Sequence, residues 1–325
     1  MKRGIVIGKF YPPHKGHKYL IEQGCSQVDE LTVIVCDKKG QKICGELRAN
    51  WLKEMVPAAN VIVVEDNLPE DDSRAWAEYT LQILGYAPEI VFTSEDYGEQ
   101  YAKCMGSRHM LIDKERKTVP ISGTKIRENP LNYWDYLEPC VRSYFAKRVC
   151  VVGAESSGTT TIAQALAEYF KTLWVPEFGH EYSIAKILAS DFEKWDTMEF
   201  IFIAQKQNAM EDLFARGCNK ILICDTDSFA TSLWHERYIG FVSPEVEALS
   251  SDRYYDLYLL TDVDIPFTQD GTRDGEHIRQ NMHRRFEEEL KKRKKPFILL
   301  SGRHEERVKI AIEVCDKILG EVKPL

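Results

Sequence analysis

The stretch Gly8–His17, GKFYPPHKGH, restricts the fold of this chain more than any other. The apolar run Gly4–Ile7 before it reads as a buried strand. The segment after it, with Leu20 and Ile21 on one side and Glu22 and Gln23 on the other, reads as an amphipathic helix. A strand-to-helix junction leaves backbone N–H groups free, and the helix dipole favours an anion there. Gly8 and Gly16 let the backbone come close to a ligand, and Pro12 and Pro13 stiffen the turn. His14 and His17, three apart, fall on one face once the helix has begun. This arrangement suits attack by one phosphate on another. The site positions its substrates, and the histidines hold triphosphate oxygens or stabilise the charge that develops during transfer.

The rest of the first half repeats the alternation. Val33–Cys36, Val61–Val64 and Ile90–Phe92 are short apolar runs of strand type. Between them, Glu46–Met55 carries Leu47, Trp51 and Leu52 at helical spacing, and Ser73–Leu84 reads as a helix with Ser73 as N-cap and Gly85 as terminator. Strands alternating with helices predict a parallel sheet covered on both faces. Ligands of such sheets bind beyond the carboxyl ends of the strands, where Gly8–His17 lies. Thr93–Gly98 follows the fourth strand and is either an ordinary loop or part of the pocket. In Ile121–Arg127 (ISGTKIR), Ser122 or Thr124 caps a helix while its hydroxyl and N–H groups face a phosphate, and Arg127 lies one turn further on.

Pro130–Ala146, rich in aromatic residues, reads as a helical segment packed between two domains, 1–146 and 147–325. Lys147–Val152 opens a new strand. Gly153-Ala154-Glu155-Ser156-Ser157-Gly158-Thr159-Thr160-Thr161 follows at once, and then an amphipathic helix through Ile162, Ala165, Leu166 and Phe170. This is the Walker A arrangement, in which backbone N–H groups cradle phosphates and Thr160 or Thr161 reaches Mg²⁺. Thr159 stands at the lysine position, so the charge a lysine brings must come from elsewhere or the site is weak. Asp225 ends the apolar run Ile221–Cys224 beside that loop, which makes Thr160 and Asp225 the candidate metal ligands. Glu177 ends another strand candidate, and either Glu177 or Asp225 accepts a proton from a substrate hydroxyl. Leu257–Leu260 and Phe297–Leu300 add two strands. Gln269–Arg273 (QDGTR), continuing to Arg279, Arg284 and Arg285, reads as a mobile lid whose arginines supply the charge missing at Thr159. The expected fold is α/β, with two doubly wound parallel-sheet domains.

The first motif resembles the GxFxPxHxGH signature of the nucleotidylyltransferase superfamily, and Ser122, Thr124 and Arg127 resemble its later ISxTxxR. That resemblance implies an HxGH Rossmann-like domain with Gly8, Lys9 and Phe10 on ATP. His14 and His17 would hold the phosphates, with Ser122, Thr124 and Arg127 closing over them. Lys9 either touches a phosphate or is solvated. The Pro-Pro form looks more like nicotinamide mononucleotide adenylyltransferases than like the flavin or cytidylyl branches. With GxESSG, DTD and QDGTR following in order, nearly all of the chain is similar to the bifunctional nicotinamide-mononucleotide adenylyltransferase/ribosylnicotinamide kinase family. The family resemblance implies a P-loop kinase domain that converts nicotinamide riboside to the mononucleotide (NMN) with ATP and Mg²⁺. It also implies an N-terminal domain that joins NMN to AMP, giving NAD and pyrophosphate. Some family members carry an N-terminal helix-turn-helix domain. This chain starts at the transferase strand, so a DNA-binding regulator is not expected. Because Thr159 departs from the pattern, two other readings stand beside this one. One is an adenylyltransferase whose second domain only binds nucleotide, and the other is a non-catalytic sensor of NAD or ATP.

Composition narrows the class further. A net charge of −8 and a pI near 5.6 argue against a general nucleic-acid binder. The basic run Lys291–Lys295 directly follows Glu287–Glu289 and reads as a solvated helix surface. Nine cysteines without a CxxC pair, several inside apolar runs, fit buried thiols in a reducing cytoplasm rather than disulfides or zinc. No apolar segment is long enough to cross a bilayer, so no membrane partner is expected. The oligomeric state stays open, a homo-oligomer included.

Overall fold

The computed structural model describes residues 1–189 and 194–321. The chain forms two compact units, Met1–Arg142 and a second that begins at Ser143. In the first, β1 (Arg3–Gly8), β2 (Glu30–Asp37), β3 (Asn60–Glu65), β4 (Ile90–Thr93) and β5 (Arg108–Leu111) make one sheet in the order β3-β2-β1-β4-β5. All of its pairings are parallel. The inner strands β1, β2 and β4 are buried along nearly their whole length, as a sheet covered on both faces requires. The helices α1 (Lys15–Cys25), α2 (Gly45–Met55), α3 (Ser73–Leu84) and α4 (Tyr97–Met105) follow the first four strands, and α5 (Gly123–Glu128) comes later. Strand order reverses at β1, so the connections leaving β1 and β4 diverge and open a crevice at the carboxyl end of the sheet. Ile5, Ile34, Val91, Trp76, Ala77 and Tyr101 pack one face of that sheet.

The helix α6 (Pro139–Phe145) carries the division between the units. The second sheet runs β10 (Phe297–Leu300), β9 (Leu257–Thr261), β6 (Lys147–Gly153), β8 (Ile221–Asp225), β7 (Trp174–Val175), again all parallel. Its helices are α7 (Thr159–Phe170), α8 (Phe178–Leu188), α9 (Thr197–Ala215), α10 (Ser228–Ile239), α11 (Pro244–Ser251), α12 (Glu276–Lys292) and α13 (His304–Gly320). Val149, Val151, Ile162, Leu166, Ile223 and Leu259 belong to its core.

The fold is the expected pair of doubly wound sheets, with local differences. Asp72, not Ser73, caps α3, its carboxylate accepting from Ala75 N at 2.9 Å. The strand β5 (RHML) escapes the periodicity because it is a half-exposed edge strand that carries Arg108 and His109. Of the basic run, Lys291, Lys292 and Lys294 are exposed as expected, but the acidic run before it is not all solvated. Glu289 is only 2% exposed and is gripped by Arg285, Lys292 and Arg293 at 2.8–3.0 Å. All nine cysteines are free. Among the described residues no helix is long and apolar enough to cross a membrane.

Candidate active sites

Each unit holds a cavity at the carboxyl end of its sheet. The first, of about 460 Å³, is lined by Gly8, Lys9, Phe10, His14 and His17 from the β1 connection and by Thr93, Ser94 and Glu95 from the β4 connection. Thr93–Gly98 is therefore pocket wall, and it runs directly into α4. Ser122, Gly123, Thr124 and Arg127 close another side.

His14 is the N-cap of α1, and its Nδ1 accepts from Gly16 N at 3.1 Å and His17 N at 3.4 Å. An Nδ1 that accepts two N–H groups leaves the proton on Nε2, so the ring presents a donor. Gly16 is required by this cap, because a Cβ there would lie 2.9 Å from His14 Cε1. The His14 and His17 rings stack at 3.7 Å, and Phe10 meets His17 edge-on at 5.0 Å. Burial, with Arg116 and Arg127 adding to it, lowers the His14 pKa to about 3. Burial, then His14 and the same two arginines, holds His17 well below the usual histidine range. Both rings are neutral at pH 7, so they serve as hydrogen-bonding groups and the cationic charge belongs to the arginines.

Ser122 is the N-cap of α5, accepting from Lys125 N at 3.3 Å, which leaves Thr124 as a residue of the first turn. Arg127 donates Nη2 to Thr124 Oγ1 at 2.8 Å and Nη1 to Tyr11 O at 2.9 Å, tying the second motif to the first. Lys9 is half-exposed, and its ammonium is paired with Glu70 and lies 3.9 Å from Asp66, a buried cavity residue whose Oδ2 has no hydrogen-bond partner among the described residues.

Sequence reasoning missed two arginines here. Arg116 lines the cavity from a turn in which the Asp113 carboxylate accepts from Lys117, Thr118 and Val119 N–H groups. Arg48 is wholly buried and donates to the carbonyls of Lys9 and Cys36 and to Asp37 and Gln41, fixing the exit of β1. In the sequence of α2 it looks like one more polar residue, since these four partners all lie outside the helix.

The second cavity, of about 400 Å³, takes its floor from Gly153, Ala154, Glu155, Ser156, Thr159 and Thr160. Ser156 and Gly158 adopt left-handed φ values of 58° and 90°, which curls the loop, and α7 begins at Thr159 without a side-chain cap, its first N–H groups open. Ser157 faces away from the cavity, its Oγ 2.6 Å from both Ala154 O and Thr261 Oγ1. Thr161 does not line the cavity, whereas Thr160 does. A Cβ at Gly153 would lie 2.1 Å from Thr261 Oγ1 and 2.6 Å from Ser157 Oγ. Gly153→Ala is therefore expected to destabilise the second unit by about 1–3 kcal/mol, the usual cost of overpacking, read as a lower calorimetric midpoint for that unit.

Asp225 is 1% exposed at the end of β8, and its Oδ1 has no hydrogen-bond partner among the described residues. Burial raises its pKa to about 6, against the opposing effect of the Thr160 and Thr159 hydroxyls. Glu177, the N-cap residue of α8, lines the same cavity. Burial first, then repulsion from Asp225 and Glu155, raises its pKa to about 8. Trp195, Phe200, Trp234 and Tyr238 make an aromatic wall, with Trp195 and Tyr238 centroids 5.6 Å apart.

The segment 262–275, which holds the expected lid, is fastened to the phosphate loop. Thr268 N donates to Ser156 Oγ at 2.8 Å, and the Glu155 carboxylate accepts from Asp274 N at 3.0 Å and Gly275 N at 3.3 Å. Of the arginines expected in the lid, Arg273 alone lines the cavity, ion-paired with Asp270 at 3.0 Å. Arg279, Arg284 and Arg285 lie on α12 instead. Arg285 is paired with Glu236 and Glu289, Arg284 bonds Asn281, and Arg279 is buried behind the loop.

Comparison with known proteins follows this division. A cytidylyltransferase-like family model matches residues 5–129, and an AAA domain model matches residues 148–307. Over 293 residues the chain is 31% identical to the trifunctional NAD biosynthesis/regulator protein NadR of Escherichia coli, covering 83% of this chain and 71% of that protein. A nicotinamide-nucleotide adenylyltransferase of Pyrobaculum neutrophilum is 29% identical over 154 residues, 43% of this chain and 84% of its own length. A crystal structure of NadR protein in complex with NR has the same fold, with a TM-score of 0.79 at 22% identity, over 100% of this chain and 98% of that one.

Proposed function

Since the chain belongs to the family of the trifunctional NAD biosynthesis/regulator protein NadR, we propose that it is a two-site enzyme of NAD salvage. The second unit phosphorylates nicotinamide riboside to NMN with ATP, and the first adenylylates NMN with a second ATP to give NAD and pyrophosphate. The observation that carries this reading is the pairing of two cavities in one chain. One joins the HxGH and ISGT segments through Arg127, and the other sets a phosphate loop opposite an aromatic wall.

In the first cavity an oxygen of the NMN phosphate attacks the α-phosphorus of ATP, and the bond to the β-phosphate bridging oxygen breaks. The His14 Nε2–H donor and the Arg127 and Arg116 guanidinium groups face the charge that moves onto pyrophosphate. In the second cavity Glu177 takes the proton of the riboside 5′-hydroxyl as that oxygen bonds to the γ-phosphorus and ADP departs. The aromatic wall suits the flat pyridinium ring of the riboside, whose positive charge is drawn to aromatic faces.

Magnesium fits this second site. The unpartnered Asp225 Oδ1 and the Thr160 hydroxyl are hard oxygen donors beside the loop, and they would hold the ion. Bound there, it neutralises phosphate charge.

A base raised to about 8 is mostly protonated at pH 7 and becomes competent as pH rises. Riboside phosphorylation at low riboside concentration is expected to increase about tenfold from pH 7 to 9, and this rise should vanish in Glu177→Gln. A profile equally steep in that variant would assign the proton to another group.

The test of the whole reading is product analysis with purified protein, riboside, ATP and Mg²⁺, following NMN and NAD separately, with a parallel reaction fed NMN. Both products from riboside are expected. NAD formed only from supplied NMN would leave the second unit without kinase activity.

A further inference from the structure

The phosphate loop turns three carbonyls away from its cavity and onto two buried arginines. Arg279, 4% exposed, donates Nε to Glu155 O at 3.1 Å, Nη2 to Ser156 O at 3.2 Å and Nη1 to Ile265 O at 3.1 Å. Its guanidinium also lies 5.7 Å from the Phe267 ring centroid. Arg307 of α13, 2% exposed, donates Nη1 to Ser157 O at 2.9 Å, Nε to Gly302 O at 2.9 Å and Nη2 to Asp262 O at 3.1 Å. Together they hold the carbonyls of Glu155, Ser156 and Ser157 on the outer side of the loop.

The two arginines differ in charge balance. Arg307 is ion-paired with Asp264. Arg279 meets carbonyls and a ring, and among the described residues it has no carboxylate partner. A buried guanidinium without a counter-ion is costly unless an anion arrives with the ligand. Of the other arginines in this region, Arg273 is balanced by Asp270 and Arg285 by Glu236 and Glu289, while Arg284 is exposed to solvent and bonds Asn281. The loop, with Thr159 in place of lysine, brings no cation of its own.

We propose that Arg279 is a positioning residue that stands in for the absent loop lysine. It holds the loop carbonyls outward so that the loop N–H groups face the ATP phosphates, and it leaves an uncompensated positive charge directly behind the loop. The proposal rests on the kinase reading of the second cavity. It predicts that a lysine at position 159 and an arginine at 279 are alternative solutions to one electrostatic problem.

Full-length Arg279→Gln and Arg279→Lys, each with and without Thr159→Lys, are assayed for NMN formation from riboside. NAD formation from supplied NMN serves as the internal standard for enzyme concentration. Arg279→Gln is expected to raise the KM for ATP about tenfold or more with little change in the KM for riboside, and Arg279→Lys to raise it less. Adding Thr159→Lys to Arg279→Gln should recover most of the ATP affinity, which a defect of scaffold alone would not allow. An unchanged KM for ATP in Arg279→Gln, or a loss that Thr159→Lys leaves untouched, overturns the proposal. Absence of NMN formation by the unmutated protein would overturn the kinase reading instead. In that event ATP affinity, measured by titration calorimetry on the full-length protein and fitted as two sites of which only the second responds to Arg279→Gln, still decides the role of Arg279 by the same rescue.

Discussion

Replacing His17 with alanine is expected to lower NAD formation from NMN by about a hundredfold or more, the usual cost of a group that meets charge only in the transition state. The loss should fall on kcat, with riboside phosphorylation in the same preparation unchanged. His17 is buried, neutral, and stacked at 3.7 Å on His14, and its Nδ1 has no partner among the described residues. A buried polar atom without a partner is costly, and a bound phosphate oxygen removes that cost when a proton sits on it. Alanine would also remove the ring that supports His14, so His17→Asn, which keeps a donor of similar reach, should retain more activity. Steady-state rates of NAD formation in both variants check this. Wild-type kcat in His17→Ala would exclude the residue from the chemistry.

Asp225→Asn is expected to have the mirror-image effect. NMN formation from riboside should fall by about a thousandfold, while NAD formation from supplied NMN is untouched. The substituted amide is nearly isosteric with the acid, so the fold of β8 should survive, but it brings no charge to the phosphate loop. The carboxylate is oriented by Thr160 and Thr159, with one oxygen unpartnered. Retention of riboside phosphorylation in this variant, measured over a range of Mg²⁺ concentrations, would remove Asp225 from the site.

Legibility in the sequence depended on how local each interaction is. The strand–loop–helix junctions at Gly8–His17 and Gly153–Thr161 could be read because every part lies within a few residues of the next. The strands of the second sheet could be read because they are short apolar runs bounded by turns. What could not be read is set by partners far along the chain. Arg48 gains its meaning from Lys9, Cys36 and Asp37; Arg127 is legible in its motif, but its tie to Tyr11 is not. Arg279 and Arg285 follow QDGTR closely in sequence, yet α12 starts at Glu276 and carries both out of the cavity, toward the loop backbone and toward Glu236. The aromatic wall draws on Trp195 just before α9, Phe200 in its first turn, and Trp234 and Tyr238 of α10, and no periodicity marks it. The choice between Glu177 and Asp225 as base turns on burial and mutual repulsion, which the sequence does not carry.

The strand orders have a consequence for synthesis of the chain. In the first unit β1 finds its partner β2 almost as soon as both have left the ribosome. In the second unit the central strand β6 is the first to emerge. Its two partners, β8 and β9, come only after α7, β7, α8 and α9 have been translated. For that interval KRVCVVG is an apolar strand with both edges unpaired, the situation in which nascent chains pair wrongly or aggregate. The half of the molecule that acts first on riboside is thus the half that folds last, and the chain is most exposed to misassembly between the translation of Gly153 and that of Thr261.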